Sequence, residues 1–453
     1  MGAAGEVHGW SSPDDRLVLR DEEPRGRGVR AGGQAHRAVG RLHVAFFNRS
    51  FYPDATATGQ FLTELSADLV REHGCRVTVV VGPPLLPTTT VRTHGWGLFT
   101  RDEHQGVTVF RTRGTTFSKD RFAGRAANYM TYFLTACYAG LRLDRPDVLV
   151  GQTDPPIIGL AAWLAGKRFG VPFVMAFKDL FPEVTVLVKD FQSDAVNRVL
   201  QAANRFLTKR AARVLALGEM MRRRLIEDKG APAGRTEIIP DWVDTGAIVP
   251  GPKRNPFSEA HGLAEAFVVM YSGNIGLSQG LESVIEAARL LSGVPDIRFV
   301  LVGEGANKAA LQARVAALTL ANVTFLPFVP VEGLRDAFAS ADVFLVPLQR
   351  GMAGYIVPSK LYGILAAGRP YVAAVEDDCE VAAITRTHAC GLVAEPGNAE
   401  DLAAQVRVLH GDRAMAARYG ENARAAALAF DRRIAVGKYM AVFTAVHQER
   451  RAS

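Results

Sequence analysis

The sequence has little cysteine and no long apolar run, and each absence excludes a class of protein. Its 453 residues include four cysteines, widely spaced and without a CxxC pair: Cys75, Cys137, Cys379 and Cys390. We interpret them as reduced thiols, because neither a disulfide framework nor a zinc cluster has this spacing. The apolar runs stay below the roughly 20 residues that a membrane-spanning helix needs, and no secretory signal is recognisable. We therefore expect a cytoplasmic protein.

Several catalytic signatures are missing as well. The loop after the first apolar strand has no GxGxxG, which disfavours a nicotinamide-binding domain, and no Walker A lysine motif for phosphoryl transfer occurs. The G-x-S-x-G elbow of a hydrolase is absent. No Asp-x-Asp follows a strand, and the acidic run from Glu376 to Glu380 lacks the spacing of metal ligands. We therefore expect neither a metal ion nor a cofactor.

Positive charge is concentrated in the first half of the chain. Lys and Arg number 21 against 14 Asp and Glu from residue 42 to 213, but 15 against 18 from residue 245 to 430. A basic half can attract nucleic acid, an anionic membrane surface or a phosphorylated acceptor. It can equally be a solvated surface, since Arg greatly outnumbers Lys throughout.

The order of apolar patterns indicates two α/β domains. Residues 1–40 hold few large apolar side chains and indicate a disordered tail. Strand and helix patterns alternate from 41 to 240, break at the Pro- and Gly-rich segment 241–258, and start again from 259 to 431. We predict two doubly wound parallel-sheet domains joined by that linker. A final helix at about 432–448 could pack back on the first domain.

Three glycine-rich loops follow strands of the second domain, at 272–280, 303–305 and 351–354. Right-handed crossovers make consecutive strands run in one direction, so these loops should lie along one edge of the sheet. Each loop by itself is a common turn sequence. Together they indicate a cleft for a nucleotide diphosphate.

The stretch GYIVPSKLYGILAAGRP, residues 354–370, predicts a short buried helix followed by a buried strand. Pro358 suits the first turn of a helix, and Ser359 can offer a capping oxygen. With Lys360 in the first turn, the unpaired N–H groups of the helix suit a phosphate or pyrophosphate. The alternative is an ordinary loop-to-helix packing unit whose Lys360 reaches water.

The first domain offers two further candidates. Lys178 and Asp179 follow the apolar strand pattern at 172–177, on the side where open α/β sheets bind ligands, although they could equally cap a helix. A helix pattern at 128–141 is rich in aromatic residues and follows basic ones. That combination suits a membrane interface, but a core helix with a solvated basic edge explains it as well. The basic residues concerned are Lys119, Arg121 and Arg125.

Eight blocks, taken in order, resemble the retaining glycosyltransferases of family 4, and more narrowly the branch that builds bacterial surface polysaccharides such as colanic acid and O-antigen. The blocks are HVAFFNRSFYPDATATG, FVMAFKDLFPE, ALGEMMRRRL, IIPDWVD, MYSGNIGLSQGLESVIEAARLL, FVLVGEG, ADVFLVPL and VPSKLYGILAAGRPYVA. The resemblance covers about residues 42 to 440. It implies the GT-B fold, in which two Rossmann-like domains face a cleft and the second domain binds most of the donor.

The resemblance also assigns donor-site positions. Gly59 matches the first-loop glycine near the donor diphosphate, and Gly303 and Glu304 match the loop near the nucleoside. Phe328 and Val329 match the segment whose backbone contacts the base. The other donor-binding candidates lie on the same edge: Gly273, Pro358, Ser359 and Leu361.

This sequence departs from the family pattern at the diphosphate and the ribose. Asn274 and Gln279 stand where many relatives carry Arg and Lys, so Lys360 and Arg350 are candidates for the missing positive charge. Tyr355 and Gly363 stand where many relatives carry two glutamates that bind the donor sugar and ribose. A nearby acid such as Glu376 or Glu380 is a candidate substitute.

The activity implied by the resemblance is retaining transfer of a sugar from a UDP- or GDP-sugar to a saccharide or polyprenyl-linked acceptor. Lys360 would stabilise the leaving diphosphate, and Lys178 and Asp179 would act on the acceptor side. The partners implied are the nucleotide-sugar, that acceptor and an anionic membrane surface, with no nucleic acid. Two alternatives remain open at this point, a sugar-nucleotide epimerase of the same fold and a non-catalytic binding scaffold.

Overall fold

A computed structural model describes residues 41–54, 56–84, 97–117, 122–187 and 193–452. The predicted tail at 1–40 and the basic residues Lys119 and Arg121 lie outside the described residues. Within the described part, the chain forms two α/β lobes, and each lobe is built on one sheet. Both sheets have helices on both faces, which explains why most of their strands are apolar rather than alternating.

The first lobe is built on an eight-stranded sheet of order β3-β4-β2-β1-β5-β6-β7-β8. Neighbouring strands run parallel, except that β3 pairs antiparallel with β4. The strands are β1 (His43–Phe47), β2 (Arg76–Val81), β3 (Phe99–His104), β4 (Val107–Thr112), β5 (Val148–Gln152), β6 (Phe173–Ala176), β7 (Arg213–Ala216) and β8 (Thr236–Ile238).

In the described part of the first lobe, six α-helices accompany the strands. They are α1 (Ala57–Arg71), α2 (Phe122–Gly140), α3 (Gly159–Phe169), α4 (Glu183–Leu187), α5 (Asp194–Arg210) and α6 (Glu219–Glu227). The alternation along β1 sets the two faces of the sheet. Val44 and Phe46 pack against α1, whereas Ala45 and Phe47 pack against α2 and α3.

The second lobe has a six-stranded, all-parallel sheet of order β11-β10-β9-β12-β13-β14. Met270 of the central strand faces the core beneath the helix of the 354–370 stretch, and Tyr271 faces the opposite core. The strands are β9 (Phe267–Ser272), β10 (Ile297–Val302), β11 (Val323–Leu326), β12 (Val343–Leu345), β13 (Tyr371–Ala374) and β14 (Gly391–Ala394).

The remaining helices belong to the second lobe or follow it in sequence. They are α7 (Pro256–Ala260), α8 (Glu282–Leu290), α9 (Lys308–Ala317), α10 (Leu334–Ala339), α11 (Lys360–Ala366), α12 (Glu380–His388), α13 (Ala399–Gly411), α14 (Arg413–Ala427) and α15 (Arg432–Ala452). The final helix, α15, packs its buried residues Val436, Tyr439 and Phe443 into the core of the first lobe.

The crossing between the lobes is shorter than the linker that the sequence predicts. Trp242 belongs to the core of the first lobe, and Val243 already belongs to the core of the second. Most of the predicted linker is therefore ordered structure. Asn255 caps α7 through a reciprocal pair of hydrogen bonds with Ser258, so the Pro and Gly residues of this segment mark turns and a helix start.

The first sheet is parallel apart from its edge strand β3. The β3 strand carries Thr, Arg, Asp, Glu and His, and it pairs antiparallel at the edge of the sheet. Because one face of this edge strand is exposed, its apolar pattern is too weak to predict a strand.

Candidate functional site

The three glycine loops of the second lobe meet at the carboxyl edge of the sheet, as expected. The Gly273 N–H donates to the Val302 carbonyl over 2.9 Å, and the Ile275 N–H donates to the Glu304 carbonyl over 2.8 Å. The Gln349 N–H donates to Ser278 of the first loop, also over 2.8 Å. The loops are therefore bound to one another through their backbones.

Gly303 makes this close approach possible. Its φ is 146°, and a Cβ there would lie 1.9 Å from the Gly273 carbonyl oxygen. A side chain at this position would separate the first two loops. The ring of Phe328, which is 55% exposed, lies beside Gly303 at the rim.

Lys360 points its ammonium group at the first glycine loop. Its Nζ donates to the Tyr271 hydroxyl over 2.5 Å and lies 3.8 Å from the centre of the Tyr271 ring. A Cβ on Gly273 would lie 3.2 Å from the same nitrogen. The Tyr271 hydroxyl in turn donates to the Asn274 carbonyl over 2.5 Å, so the tyrosine ties Lys360 to the loop.

The ammonium of Lys360 has no acidic partner among the described residues. Burial lowers the pKa of Lys360 to about 7, and no carboxylate is close enough to raise it. Burial also raises the pKa of Tyr271, which keeps its hydroxyl protonated and able to donate. The site therefore holds an enclosed cation that an anionic ligand would stabilise.

The start of α11 leaves few groups free for a ligand. Leu361 is fully buried in the core, and its N–H already donates to the Pro358 carbonyl over 3.2 Å. Ser359 precedes the helix without a capping hydrogen bond from its side chain. In the described structure, no backbone carbonyl accepts from the N–H of Ser359 or Lys360. Leu361 thus supports the helix, and the two preceding N–H groups have no backbone acceptor in the described structure.

Asn274 and Gln279, the two departures from the family pattern, both approach Gly276. The Gln279 side chain donates to Ser278 over 2.9 Å, and its Oε1 is buried without a partner. Lys308, which the sequence analysis did not select, donates to the Gly303 carbonyl over 3.0 Å and to the Glu304 carboxylate over 2.7 Å. Val329 packs partly buried against the second-lobe core.

Arg350 and Glu376 are both engaged in other interactions. The Arg350 guanidinium is exposed and donates to Glu395 over 2.6 Å, so its charge is neutralised at the surface. The Glu376 carboxylate accepts from the N–H groups of Gly351 and Ala353, over 3.0 and 3.1 Å. The positive charge expected from Arg350 is therefore paired with Glu395, and one oxygen of the Glu376 carboxylate is occupied by the two N–H groups.

Lys178, one residue of the expected catalytic pair, is buried in an ion pair. It is 6% exposed, and its Nζ donates to the Asp241 carboxylate over 2.6 Å. The ammonium also lies 5.3 Å from the Trp242 ring centre. Burial by itself lowers the pKa of Lys178, but the Asp241 carboxylate outweighs that effect and the pKa is raised. Lys178 therefore joins the first lobe to the crossing segment through a buried ion pair, and its catalytic role stays a prediction.

Asp179, the neighbour of Lys178, lies where the backbone of the first lobe meets that of the second. Its backbone forms an antiparallel bridge with Ile356, and the Leu180 N–H donates to the Tyr355 carbonyl over 2.8 Å. The Asp179 carboxyl has no hydrogen-bond partner among the described residues. Burial and the nearby carboxylates of Asp241 and Asp154 raise the pKa of Asp179 to about 7.

The two lobes also touch beside this bridge. The Glu380 carboxylate accepts from the Met221 N–H at the start of α6, over 2.9 Å. The Arg224 guanidinium lies 4.7 Å from the ring centre of Tyr355. Gly363 packs against Phe338, whose ring would lie 2.9 Å from a Cβ there. The positions of the two missing glutamates, Tyr355 and Gly363, therefore serve packing, and Glu380 bonds to the other lobe.

Gly59 lies in the first turn of α1, where its N–H donates to the Thr56 hydroxyl over 3.3 Å. A Cβ at Gly59 would lie 3.3 Å from both the Asp54 carbonyl and the Ser50 side chain. The glycine thus lets the loop after β1 close against the helix. Sequence reasoning missed Tyr271, Asp241 and the interlobe role of Glu380, because each acts through a partner at least 63 positions away.

Comparison with known proteins identifies the family of this site. A family model described as "Glycosyl transferase 4-like domain" matches residues 56–242, and "Glycosyl transferases group 1" matches residues 253–426. The two matches divide at the crossing between the lobes and together span most of the chain. The chain is a GT-B glycosyltransferase of the family 4 type.

Two curated relatives of this glycosyltransferase come from bacteria. It is 25% identical to the putative colanic acid biosynthesis glycosyl transferase WcaI of Escherichia coli K12 over 379 residues, which is 81% of this chain and 91% of that protein. It is 27% identical to the probable glycosyltransferase WbjE of Pseudomonas aeruginosa over 270 residues, which is 59% of this chain and 67% of that protein.

Solved structures share the fold at low sequence identity. Anabaena Alr3699/HepE, crystallised in complex with UDP, superposes with a TM-score of 0.67 at 17% identity and covers 89% of this chain and 100% of that one. Within the described ranges, no helix is both long and apolar enough to cross a membrane. Among the same residues, no three His, Cys, Asp or Glu side chains are grouped to hold a metal ion.

Proposed function

We propose that this glycosyltransferase transfers a sugar, with retention of anomeric configuration, from a UDP- or GDP-sugar to a lipid-linked saccharide in polysaccharide biosynthesis. The observation that carries the proposal is the Lys360 ammonium, enclosed beside the glycine loops without an acidic partner in the described structure. A diphosphate is the ligand that would complete such a site. HepE, which shares the fold, has been crystallised with UDP, and WcaI is named for colanic acid biosynthesis.

The transition state needs stabilisation at the leaving diphosphate. As the bond between the anomeric carbon and the diphosphate oxygen breaks, the sugar becomes oxocarbenium-like and negative charge grows on the diphosphate. Lys360 and the N–H groups that precede Leu361 would stabilise that charge, and Tyr271 holds the ammonium toward the loop. The acceptor oxygen then bonds to the anomeric carbon, and its proton leaves with the nucleoside diphosphate.

Asp179 is placed to bind a sugar hydroxyl from the other side of the cleft. Its carboxyl group lacks a hydrogen-bond partner among the described residues and lies where the first lobe bridges Ile356. A carboxylate that accepts a hydroxyl proton in a hydrogen bond would orient either the donor sugar or the acceptor. Closure of the lobes around both sugars would exclude water and limit hydrolysis of the donor.

Replacing Lys360 tests the proposal. Lys360→Ala should reduce kcat by about 10²-fold or more with a UDP- or GDP-sugar and a lipid-linked acceptor, because the lost ammonium acts mainly on the transition state. Lys438→Ala, which removes an exposed lysine of α15, is the matched control and should retain the wild-type rate. An unchanged rate for Lys360→Ala would remove this residue from the mechanism.

The same assay separates the alternative activities. Acceptor-dependent release of the nucleotide supports transfer, whereas conversion of one sugar nucleotide into another supports epimerisation. Binding without turnover would indicate a scaffold. The anomeric configuration of the product, measured by NMR, shows whether the transfer retains or inverts it.

We also propose that the first lobe contacts an anionic membrane surface through α2. Several large apolar side chains of this helix and its flanks are exposed: Phe117 at 58%, Met130 at 49%, Leu134 at 59% and Tyr138 at 38%. The Arg142 guanidinium lies 5.2 Å from the ring centre of Tyr138, so a cation borders the apolar face. Exposed apolar side chains beside arginine suit the headgroup region of a bilayer.

Vesicle flotation tests the membrane contact. The protein should float with vesicles that contain phosphatidylglycerol, because the arginines add attraction to anionic lipid. With vesicles of pure phosphatidylcholine it should stay at the bottom of the gradient. Met130→Ser combined with Leu134→Ser should reduce the floating fraction. Val408→Ser, which replaces an exposed apolar residue of α13 in the second lobe, should leave the floating fraction unchanged. Equal flotation of all three proteins would contradict a role for α2.

A further inference from the structure

The first lobe contains a buried arginine whose guanidinium has no partner among the described residues. Arg49 follows β1 and is 5% exposed, and its Nε is buried without a hydrogen bond. Only its backbone is bonded, since the Arg49 N–H donates to the Asp154 carbonyl over 2.7 Å and the Arg49 carbonyl accepts from Gly82 over 3.0 Å. Burying a positive charge without a partner is strongly unfavourable, so a buried guanidinium of this kind is a candidate for binding an anion.

A second polar side chain without a partner lies on the strand next to the one that Arg49 follows. Gln152, at the end of β5, is 1% exposed, and its Oε1 is buried without a hydrogen bond. Strands β1 and β5 are neighbours in the sheet, with Phe47 opposite Gly151, so Gln152 lies opposite Asn48, the residue before Arg49. An amide can turn either its N–H₂ or its oxygen toward a ligand.

The surrounding groups do not neutralise Arg49. Asp154 is a nearby acid, but its carboxylate accepts from the Ser50 hydroxyl over 2.7 Å and makes no ion pair with Arg49. The Tyr132 hydroxyl donates to the Val80 carbonyl over 2.9 Å and is also occupied. The stem of Arg49 packs against Gly82, where a Cβ would lie 3.0 Å from the Arg49 Cγ. The arginine is therefore held in position by packing while its charge remains unpaired.

We propose that Arg49 forms a site for an oxyanion, a phosphate or a carboxylate, carried by the acceptor. This inference rests on the proposed function, since it assigns the charge to the acceptor of that transfer. The site lies on the first lobe, across the cleft from Lys360 and the glycine loops. Ser50, next to Arg49, lies against Gly59 at the start of α1, which places the anion close to the bound donor.

The placement has a consequence for the acceptor. A guanidinium at the end of β1 can reach only a group close to the cleft, so the acceptor must carry its charge near the accepting hydroxyl. A lipid phosphate attached directly to the accepting sugar meets this condition, and so does a uronic acid as the accepting sugar. A long neutral oligosaccharide does not.

Anion binding to the full-length protein tests the site directly. With the donor site filled by saturating UDP or GDP, inorganic phosphate and glucuronate are titrated separately by calorimetry into wild type, Arg49→Gln and Arg168→Gln. Arg168 is an exposed arginine at the far end of α3 and serves as the matched control. We expect one of the two anions to bind at least tenfold more weakly to Arg49→Gln and equally well to Arg168→Gln. The anion that binds shows whether the site takes phosphate or carboxylate.

Other outcomes would overturn the proposal. Absence of saturable binding of both anions to the wild type, or equal binding to wild type and Arg49→Gln, would each do so. Loss of binding only in Lys360→Ala would assign the anion to the donor site. Because nucleotide binding is measured in the same samples, failure of the Arg49 site is distinguishable from failure of the donor site.

Thermal unfolding separates a ligand-binding role from a structural one. Without its ligand, Arg49 contributes no ion pair, so Arg49→Gln should have the same Tm as the wild type or a higher one. A lower Tm would mark Arg49 as a structural residue and count against the proposal. Gly82→Ala, which pushes on the stem of Arg49 while keeping its charge, should also weaken anion binding.

Discussion

Lys360 and Asp179 have pKa values near 7 for opposite reasons. Burial lowers the pKa of the Lys360 ammonium to about 7, because the charged form loses its hydration. Burial and two neighbouring carboxylates raise the pKa of Asp179 to about 7, because they disfavour its negative charge. Both groups therefore change charge across the pH range in which the enzyme would work.

The pH profile of kcat/KM should accordingly be bell-shaped with a maximum near pH 7. Below that pH Asp179 becomes protonated and loses the negative charge that makes it a strong acceptor for a sugar hydroxyl. Above it the free enzyme loses the positive charge of Lys360 and binds the diphosphate less well. Initial rates at low donor concentration, measured from pH 5.5 to 8.5, would show both limbs.

Variants assign the two limbs of this profile. Lys360→Arg keeps a permanent positive charge and should remove the alkaline limb. Asp179→Asn cannot ionise and should remove the acidic limb at a reduced overall rate. A profile that is flat in the wild type, or that keeps both limbs in both variants, would contradict these assignments.

Among the secondary-structure elements, α6 is a helix of the first lobe whose first turn is capped by a residue of the second lobe. Its start at Gly218 is extended, and the first turn has a hydrogen bond from Met221 to the Glu380 carboxylate across the cleft. A Cβ at Gly218 would lie 2.1 Å from the Glu380 Cγ, so the glycine allows the acid to approach. The carboxylate also suits the positive end of the helix.

Removing this cap should destabilise the protein measurably. Glu380→Ala leaves the Met221 N–H without its acceptor and should cost about 1 kcal/mol of unfolding free energy, as for other lost helix caps. Chemical denaturation would detect the change. Glu219→Ala on the same helix start removes only an exposed ion pair with Arg222 and should cost less than about 0.5 kcal/mol. Equal losses in the two variants would show that Glu380 is not a cap.

At the scale of the whole molecule, the lobes are joined by two chain crossings that pair with each other. The Val243 N–H donates to the Phe430 carbonyl over 3.1 Å, and the Arg432 N–H donates to the Val243 carbonyl over 2.9 Å. The buried Lys178–Asp241 ion pair lies beside these crossings, under the cleft. This arrangement makes the crossing region the natural site of any hinge between the lobes.

The ion pair should behave as a coupled unit. Lys178→Met leaves the Asp241 carboxylate buried without its partner and should cost about 3–5 kcal/mol of stability, and Asp241→Asn should cost a similar amount. The double variant should lose much less than the sum, because no unpaired charge remains. A double-mutant cycle by denaturation measures this coupling. Additive losses would show that the two residues stabilise the fold independently.

Local sequence patterns were sufficient to predict most of the regular structure. Strands and helices alternate on both sides of the crossing, as the apolar patterns predict, and the glycine loops meet at one sheet edge. Apolar periodicity determines these elements because it depends only on which neighbouring residues share a face. The edge strand β3 was missed because its exposed face carries charged residues that hide this signal.

The partners of the site residues were decided by the tertiary structure alone. Lys178 and Lys360 are both lysines at the boundary of an apolar element, yet one is neutralised by Asp241 and the other meets only Tyr271. Which carboxylate reaches which ammonium depends on where distant segments return to the sheet, and no local pattern contains that information. The sequence by itself therefore determined the two lobes and the glycine cleft, and the packing of those lobes determined which charges remain free for a ligand.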